Sequence, residues 1–262
     1  MSIDFDIIGV GVASPGLPDW PSLVAAFGGA ELVESQMSTS TLLSPRERRR
    51  APATVKLSFA AAEQACAMAG IAPGEAVAIF SSGMGDLDIT DYMCRILADG
   101  PELLSPTRFH NSVHNAASGY WSIGAKATGD VTAISGWRDS ASAGLLEALA
   151  RLGSDGGPVL LVVYDDVAQG PMRDLWSSEY PFSAALVLAP ANHPEPLARL
   201  SAETTHEDAD NVVLPPALDA RLRDNPAARI LPLLGLICGQ LDQPALLAAE
   251  QGSGLIVRRR LK

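Results

Sequence analysis

Three features of the sequence predict an α/β fold built on a layered sheet. Short apolar runs alternate with helix-forming segments along most of the chain. Residues 158–164 (PVLLVVY) are almost wholly apolar, the pattern of a central strand buried on both faces. The chain has 262 residues, 47% of them hydrophobic and 19% charged. It is long enough for a sizeable core and too apolar to stay disordered.

The elements follow in order. Residues 6–12 (DIIGVGV) read as a strand ended by Ser14-Pro15-Gly16. Pro21 opens a short helix that Gly28-Gly29 stops. Residues 53–69 are rich in helix formers and end at Gly70. Residues 76–80 (AVAIF) form a second strand, leading into Ser81-Ser82-Gly83-Met84-Gly85. Residues 86–98 read as a helix with acids in its first turn, and 112–127 as the next helix. A third strand at 131–135 runs into a helix at 140–152, where Leu145, Leu146, Leu149 and Leu152 share one stripe. Residues 184–188 (AALVL) give another strand. Beyond Ala189 the character shifts. Residues 191–216 are polar and proline-containing, 217–247 are helical in pieces, and 254–260 suit a last strand. The expected organisation is a main domain over 1–190, with 191–262 completing or capping it.

Composition and patterning exclude several classes. A net charge of −11 disfavours nonspecific nucleic-acid binding. The N-terminus lacks the basic stretch of a signal peptide, and no apolar run approaches the ~20 residues of a membrane span. Cys66, Cys94 and Cys238 are scattered, which suits free thiols in a cytoplasmic protein. Gly9-Val10-Gly11-Val12-Ala13-Ser14 approximates a dinucleotide fingerprint, but its third glycine is Ser14 and Pro15-Gly16 interrupts the helix that should follow. No cofactor is expected. His110 and His114 stand four apart without a third ligand, and Asp86, Asp88 and Asp91 do not fit a calcium loop, so no metal is expected either.

The most informative stretch runs from Phe109 to Leu149 and contains a sharp strand-to-helix junction at Ser135-Gly136-Trp137-Arg138-Asp139-Ser140. From its first strand to about Ala189 the chain resembles the N-terminal half of a β-ketoacyl synthase. The resemblance rests on IIGVGVASPG, FSSGMG at 80–85, the segment from Ser105-Pro106 through Gly119, GDVTAIS at 129–135 and PFSAALVL at 181–188. It implies a thiolase-like layered fold, here a single N-terminal half with a reduced C-terminal cap. In that family a cysteine nucleophile starts the helix after the third strand. Laid on that pattern, AISGWRDSASAG puts Arg138 at the cysteine position, with Asp139 as the candidate to balance its charge. An arginine cannot carry an acyl group. The family's two histidine motifs are missing as well.

The resemblance therefore implies a non-catalytic, chain-length-factor-type subunit like those of aryl polyene biosynthesis. It would form a heterodimer with an active β-ketoacyl synthase and serve an acyl carrier protein. Phe109, His114, Tyr120, Trp121 and Trp137 are the expected tunnel or interface residues. Arg46, Arg48, Arg49 and Arg50 form a basic run suited to an acidic carrier, or simply a solvated helix edge. The rival readings are a stand-alone acyl-thioester hydrolase or decarboxylase and a structural scaffold. Ser140 is the best serine candidate, though no G-x-S-x-G elbow accompanies it, and helix capping is its simpler role.

Overall fold

A computed structural model of the chain describes residues 2–206, 213–247 and 254–260. The polar run beginning at His206 lies outside them from residue 207 to 210. The chain runs β1 (Ser2–Ala13), α1 (Trp20–Phe27), α2 (Pro45–Arg50), α3 (Ala53–Ala69), β2 (Val77–Ser81) and α4 (Leu87–Asp99). It continues through α5 (Pro106–His110), α6 (Ala116–Gly124), β3 (Val131–Ile134), α7 (Ser140–Asp155), β4 (Val159–Asp165) and β5 (Phe182–Pro190). Then come β6 (Ala198–Thr205), α8 (Pro216–Leu222), α9 (Leu231–Cys238), β7 (Ala245–Leu247) and β8 (Gly254–Arg259).

These strands form one eight-stranded sheet in the order β3-β2-β4-β5-β1-β6-β8-β7. The pairs β2/β3 and β2/β4 are parallel; the remaining neighbours are antiparallel. Strand β4 shows how the layers arise. Val159, Leu161 and Val163 join the core beneath α7 and α9, while Leu160, Val162 and Tyr164 join the core beneath α3 and α6. Successive side chains point to opposite faces, so a continuous apolar strand fills both cores.

The glycines of GVGV have a packing role. A Cβ on Gly9 or Gly11 would collide with the carbonyls of Ala65 and Ala61 on α3. Their absence lets the alanine-rich face of α3 lie directly on β1. A bulge between Ile7 and Gly9 shifts the alternation, so that Phe5, Ile7, Val10 and Val12 all reach the opposite core.

The helix expected over 112–127 is shorter, α6 starting at Ala116 and ending at Gly124, and a separate short helix, α5, precedes it. Asn111 holds the turn between them: its side chain donates to the Arg50 carbonyl at 3.2 Å and accepts from the Tyr120 hydroxyl at 3.2 Å. The polar stretch after Ala189 contains β6, which pairs with β1 on one side and β8 on the other. Its inward positions Ala198, Leu200 and Ala202 are buried between half-exposed residues, the signature of a strand with one polar face.

Candidate functional site

The site lies where β3 passes into α7. Ile134 ends the strand, Trp137–Asp139 make a tight 3₁₀ turn, and Ser140 begins the helix. Ser140 is buried, and its hydroxyl donates to the Trp137 carbonyl at 2.8 Å and accepts from the Gly136 amide at 2.9 Å. Both contacts pin the turn. Gly144 brings α7 close to β2, since a Cβ there would come within 2.8 Å of Ser81 and 2.9 Å of Leu161.

The strained residue of the turn is Trp137. Its φ is 58°, a left-handed conformation that bulky residues rarely adopt. Its ring packs on Trp176 with centroids 4.4 Å apart, and 48% of the residue is exposed. The Arg138 guanidinium donates to the Leu175 carbonyl at 3.1 Å and sits 5.1 Å above the Trp176 ring. Asp139 forms an ion pair with Arg229 at 3.0 Å. The junction thus holds a cation over an aromatic ring and a salt bridge, and its buried serine is committed to the backbone.

Asp165, at the end of β4, organises the opposite wall. It is fully buried and accepts from Ser82 Oγ at 2.6 Å, the Met84 amide at 2.8 Å and the Gly83 amide at 3.1 Å. Burial pushes its carboxyl up to about 6, against the lowering effect of these hydrogen bonds. The Asn225 amide donates to the Asp165 carbonyl at 2.9 Å and to the Tyr180 carbonyl at 2.9 Å. Gly83 lies against the junction, where a Cβ would come within 2.5 Å of the Trp137 carbonyl. Sequence reading missed Asp165 and Asn225. The only signal for Asp165 was an acid terminating an otherwise apolar strand.

The other expected residues are dispersed. Trp121 is fully buried, edge-on to Phe59 at 5.1 Å and tilted against Phe80 at 5.6 Å. Tyr120 is half-buried on α6. Phe109 is 57% exposed on α5. His114 lies in the turn between the helices, its Nε2 3.4 Å from the Ser82 carbonyl. His110 ends α5, so the two histidines share no helical face. Among the described residues no group of three or more His, Cys, Asp or Glu side chains could hold a metal. Asp86 caps α4, Asp88 pairs with Arg108 at 3.3 Å and Asp91 pairs with Arg95.

The basic run forms α2, opened by a capping box between Ser44 and Glu47. Arg46, Arg49 and Arg50 are exposed, whereas Arg48 turns back to the Leu43 carbonyl at 3.1 Å. Arg49 and Arg50 line a cleft of about 530 Å³ together with Arg108, Asp86 and Asp166. Burial raises both of these acids.

The β-ketoacyl synthase N-terminal domain family matches residues 27–220. The chain belongs to this family. No curated protein matches its sequence at a significant level. Among solved structures, a chain of the ketosynthase ApeO in complex with its chain length factor ApeC, from Xenorhabdus doucetiae, aligns with a TM-score of 0.75 at 22% identity. That alignment covers 98% of this chain and 100% of the other. The ishigamide ketosynthase/chain length factor aligns with a TM-score of 0.65 at 17% identity, over 79% of this chain and 68% of that one. A β-ketoacyl synthase from Burkholderia phymatum aligns with a TM-score of 0.59 at 12% identity, over 92% and 71%. The synthase-family chain therefore has the thiolase-like layered fold, as a single N-terminal half. No helix among its described residues is long and apolar enough to cross a membrane.

Proposed function

We propose that this synthase-family chain is a chain-length-factor-type subunit: it pairs with an active β-ketoacyl synthase, contributes no nucleophile and helps shape the acyl tunnel of the pair. One observation carries the reading. The junction where the family's cysteine is expected has Arg138 packed on Trp176, and Ser140 has both hydroxyl contacts committed to the turn. Condensation in the pair then depends on the partner's cysteine and histidines.

The outer edge of the sheet supports the pairing. β3 is the end strand, half-exposed along its length, and α6, which packs beside it, carries Ile123, 70% exposed. Unpaired backbone and apolar side chains in one region suit a protein partner. Two of the similar structures are of ketosynthases with their chain length factors, and another is of an acyl carrier protein with its ketosynthase. In this reading residues 1–190 form the synthase-like domain and 191–262 its extension. Exposed Arg46, Arg49 and Arg50 receive an acidic carrier protein, and the pair works in the cytoplasm.

The test is reconstitution. The chain is co-expressed with the ketosynthase encoded beside it, and the pair is purified and assayed for elongation with and without the chain. The expected result is a stable 1:1 heterodimer that elongates only when both subunits carry their parent sequences. A monomer that turns over acyl thioesters alone defeats the reading.

A further inference from the structure

Trp137 combines two properties that packing alone does not account for. Its φ of 58° is a conformation natural to glycine or asparagine. Yet burial does not force a large side chain into it, because 48% of the residue is open. Strain at a non-glycine position persists where the surroundings over-determine it, and such positions cluster at functional surfaces. Here the surroundings are explicit. Ser140 Oγ holds the Trp137 carbonyl at 2.8 Å, Gly83 abuts the same carbonyl, and buried Trp176 supports one side of the ring. The ring is already packed on one side before any partner arrives, which lowers the side-chain freedom that binding to it would sacrifice.

The turn that carries the ring also lies beside the edge strand: Gly83, against the Trp137 carbonyl, directly follows Ser82. The Ser82 amide donates to the Ile134 carbonyl of β3 at 3.2 Å, and the Ser82 carbonyl lies 3.4 Å from His114 Nε2. His114 directly follows Val113, which with Phe109 is exposed. Leu175, which directly precedes Trp176, is 54% exposed and tied to Arg138 through its carbonyl. A half-exposed tryptophan packed on a buried one, with an exposed leucine in the supporting segment, has the composition of an interface anchor.

We propose that Trp137 is the anchor on the face that receives the catalytic synthase subunit, with its open ring side entering an apolar pocket of that subunit; this rests on the heterodimer reading above. Trp137→Gly tests it cleanly, because glycine removes the ring and relaxes the strained backbone together. Trp137→Asn is the parallel variant, asparagine also tolerating this conformation. The dissociation constant of the pair is measured for parent and variants beside their melting temperatures. The expected result is binding weakened by about 30-fold or more with the fold intact. Binding within about threefold of the parent for both variants overturns the anchor. So does normal binding with altered product length, which would make Trp137 a tunnel wall. Should the variants fail to fold, oxidation of Trp137 in the parent chain decides. Protection in the pair supports the anchor, and equal rates in the free and paired chain overturn it. A parent chain that binds no synthase ends the heterodimer reading and the anchor together, whereas a parent that binds alongside unaffected variants ends only the anchor.

Discussion

Replacing Asp165 by asparagine should flatten one component of the protein's dependence of stability on pH. The carboxyl is wholly buried, and burial raises it from 3.8 to about 6 although Ser82, Gly83 and Met84 all donate to it. The folded state therefore holds this proton more tightly than the unfolded chain does. Protonation favours the fold, so the contribution is full below about pH 4 and is lost as pH rises through about 6. That gap corresponds to about 3 kcal/mol in all, of which on the order of 2 kcal/mol falls between about pH 4.5 and 7.5. Asparagine does not titrate. Urea unfolding of both proteins across this window should show the parent losing about 2 kcal/mol relative to Asp165→Asn as pH rises. The constant offset from the lost acceptor drops out of the comparison. Asp86 and Asp166, also raised by burial, are common to both proteins. Profiles parallel to within roughly 0.5 kcal/mol, or diverging in the opposite sense, refute the reasoning.

Trp121→Ala should destabilise the chain by about 3–5 kcal/mol in the same unfolding assay, since it empties a site enclosed by Phe59 and Phe80. Ser140→Ala should lose about 1–2 kcal/mol by freeing the Gly136 amide and the Trp137 carbonyl, while any thioester hydrolysis seen in a preparation stays unchanged. Reversing Arg46 and Arg49 to glutamate should weaken carrier-protein binding by about tenfold at low salt and much less at high salt, with the melting temperature unaffected. Surface plasmon resonance at two ionic strengths reads this directly, and salt-independent binding equal to the parent's counts against the dock.

The regular layers were legible because their apolar spacing is strong. The helix Ala53–Ala69 was read to the residue, helped by a left-handed Gly70 at its end. Strand β4 was evident from its apolar run. The late start of α6, at Ala116 rather than 112, was not, because the turn before it is held by a contact distant in sequence: Asn111 reaches the Arg50 carbonyl, and nothing local says so. Strand β6 was hidden for a different reason. It buries only alternate positions, and Glu203, Thr204 and Thr205 dilute its signal. At the site, the strand-to-helix junction and its arginine were visible in the sequence. The strain was not. Sequence offers Asp139 its neighbour Arg138 by adjacency; that the fold also brings it Arg229, ninety positions away, had no signal.

That distant partner bears on how the junction keeps its shape. Asp139 ties the turn to Arg229 in the 3₁₀ segment Pro226–Ile230. Asn225, which caps that segment, ties it to the end of β4 through the Asp165 carbonyl. The Asp165 carboxylate gathers the loop after β2, and Gly83 in that loop presses back on the Trp137 carbonyl. The contacts close a ring around the turn. A ring resists the relaxation of any one member, which is what a residue at positive φ needs if it is to stay there. Cutting the ring at Arg229 should therefore act on Trp137 without touching it. In urea unfolding, Arg229→Ala and Trp137→Gly should be more destabilising together than the sum of their separate effects, because both singles relieve the same strain and the double can relieve it only once; strict additivity refutes the coupling.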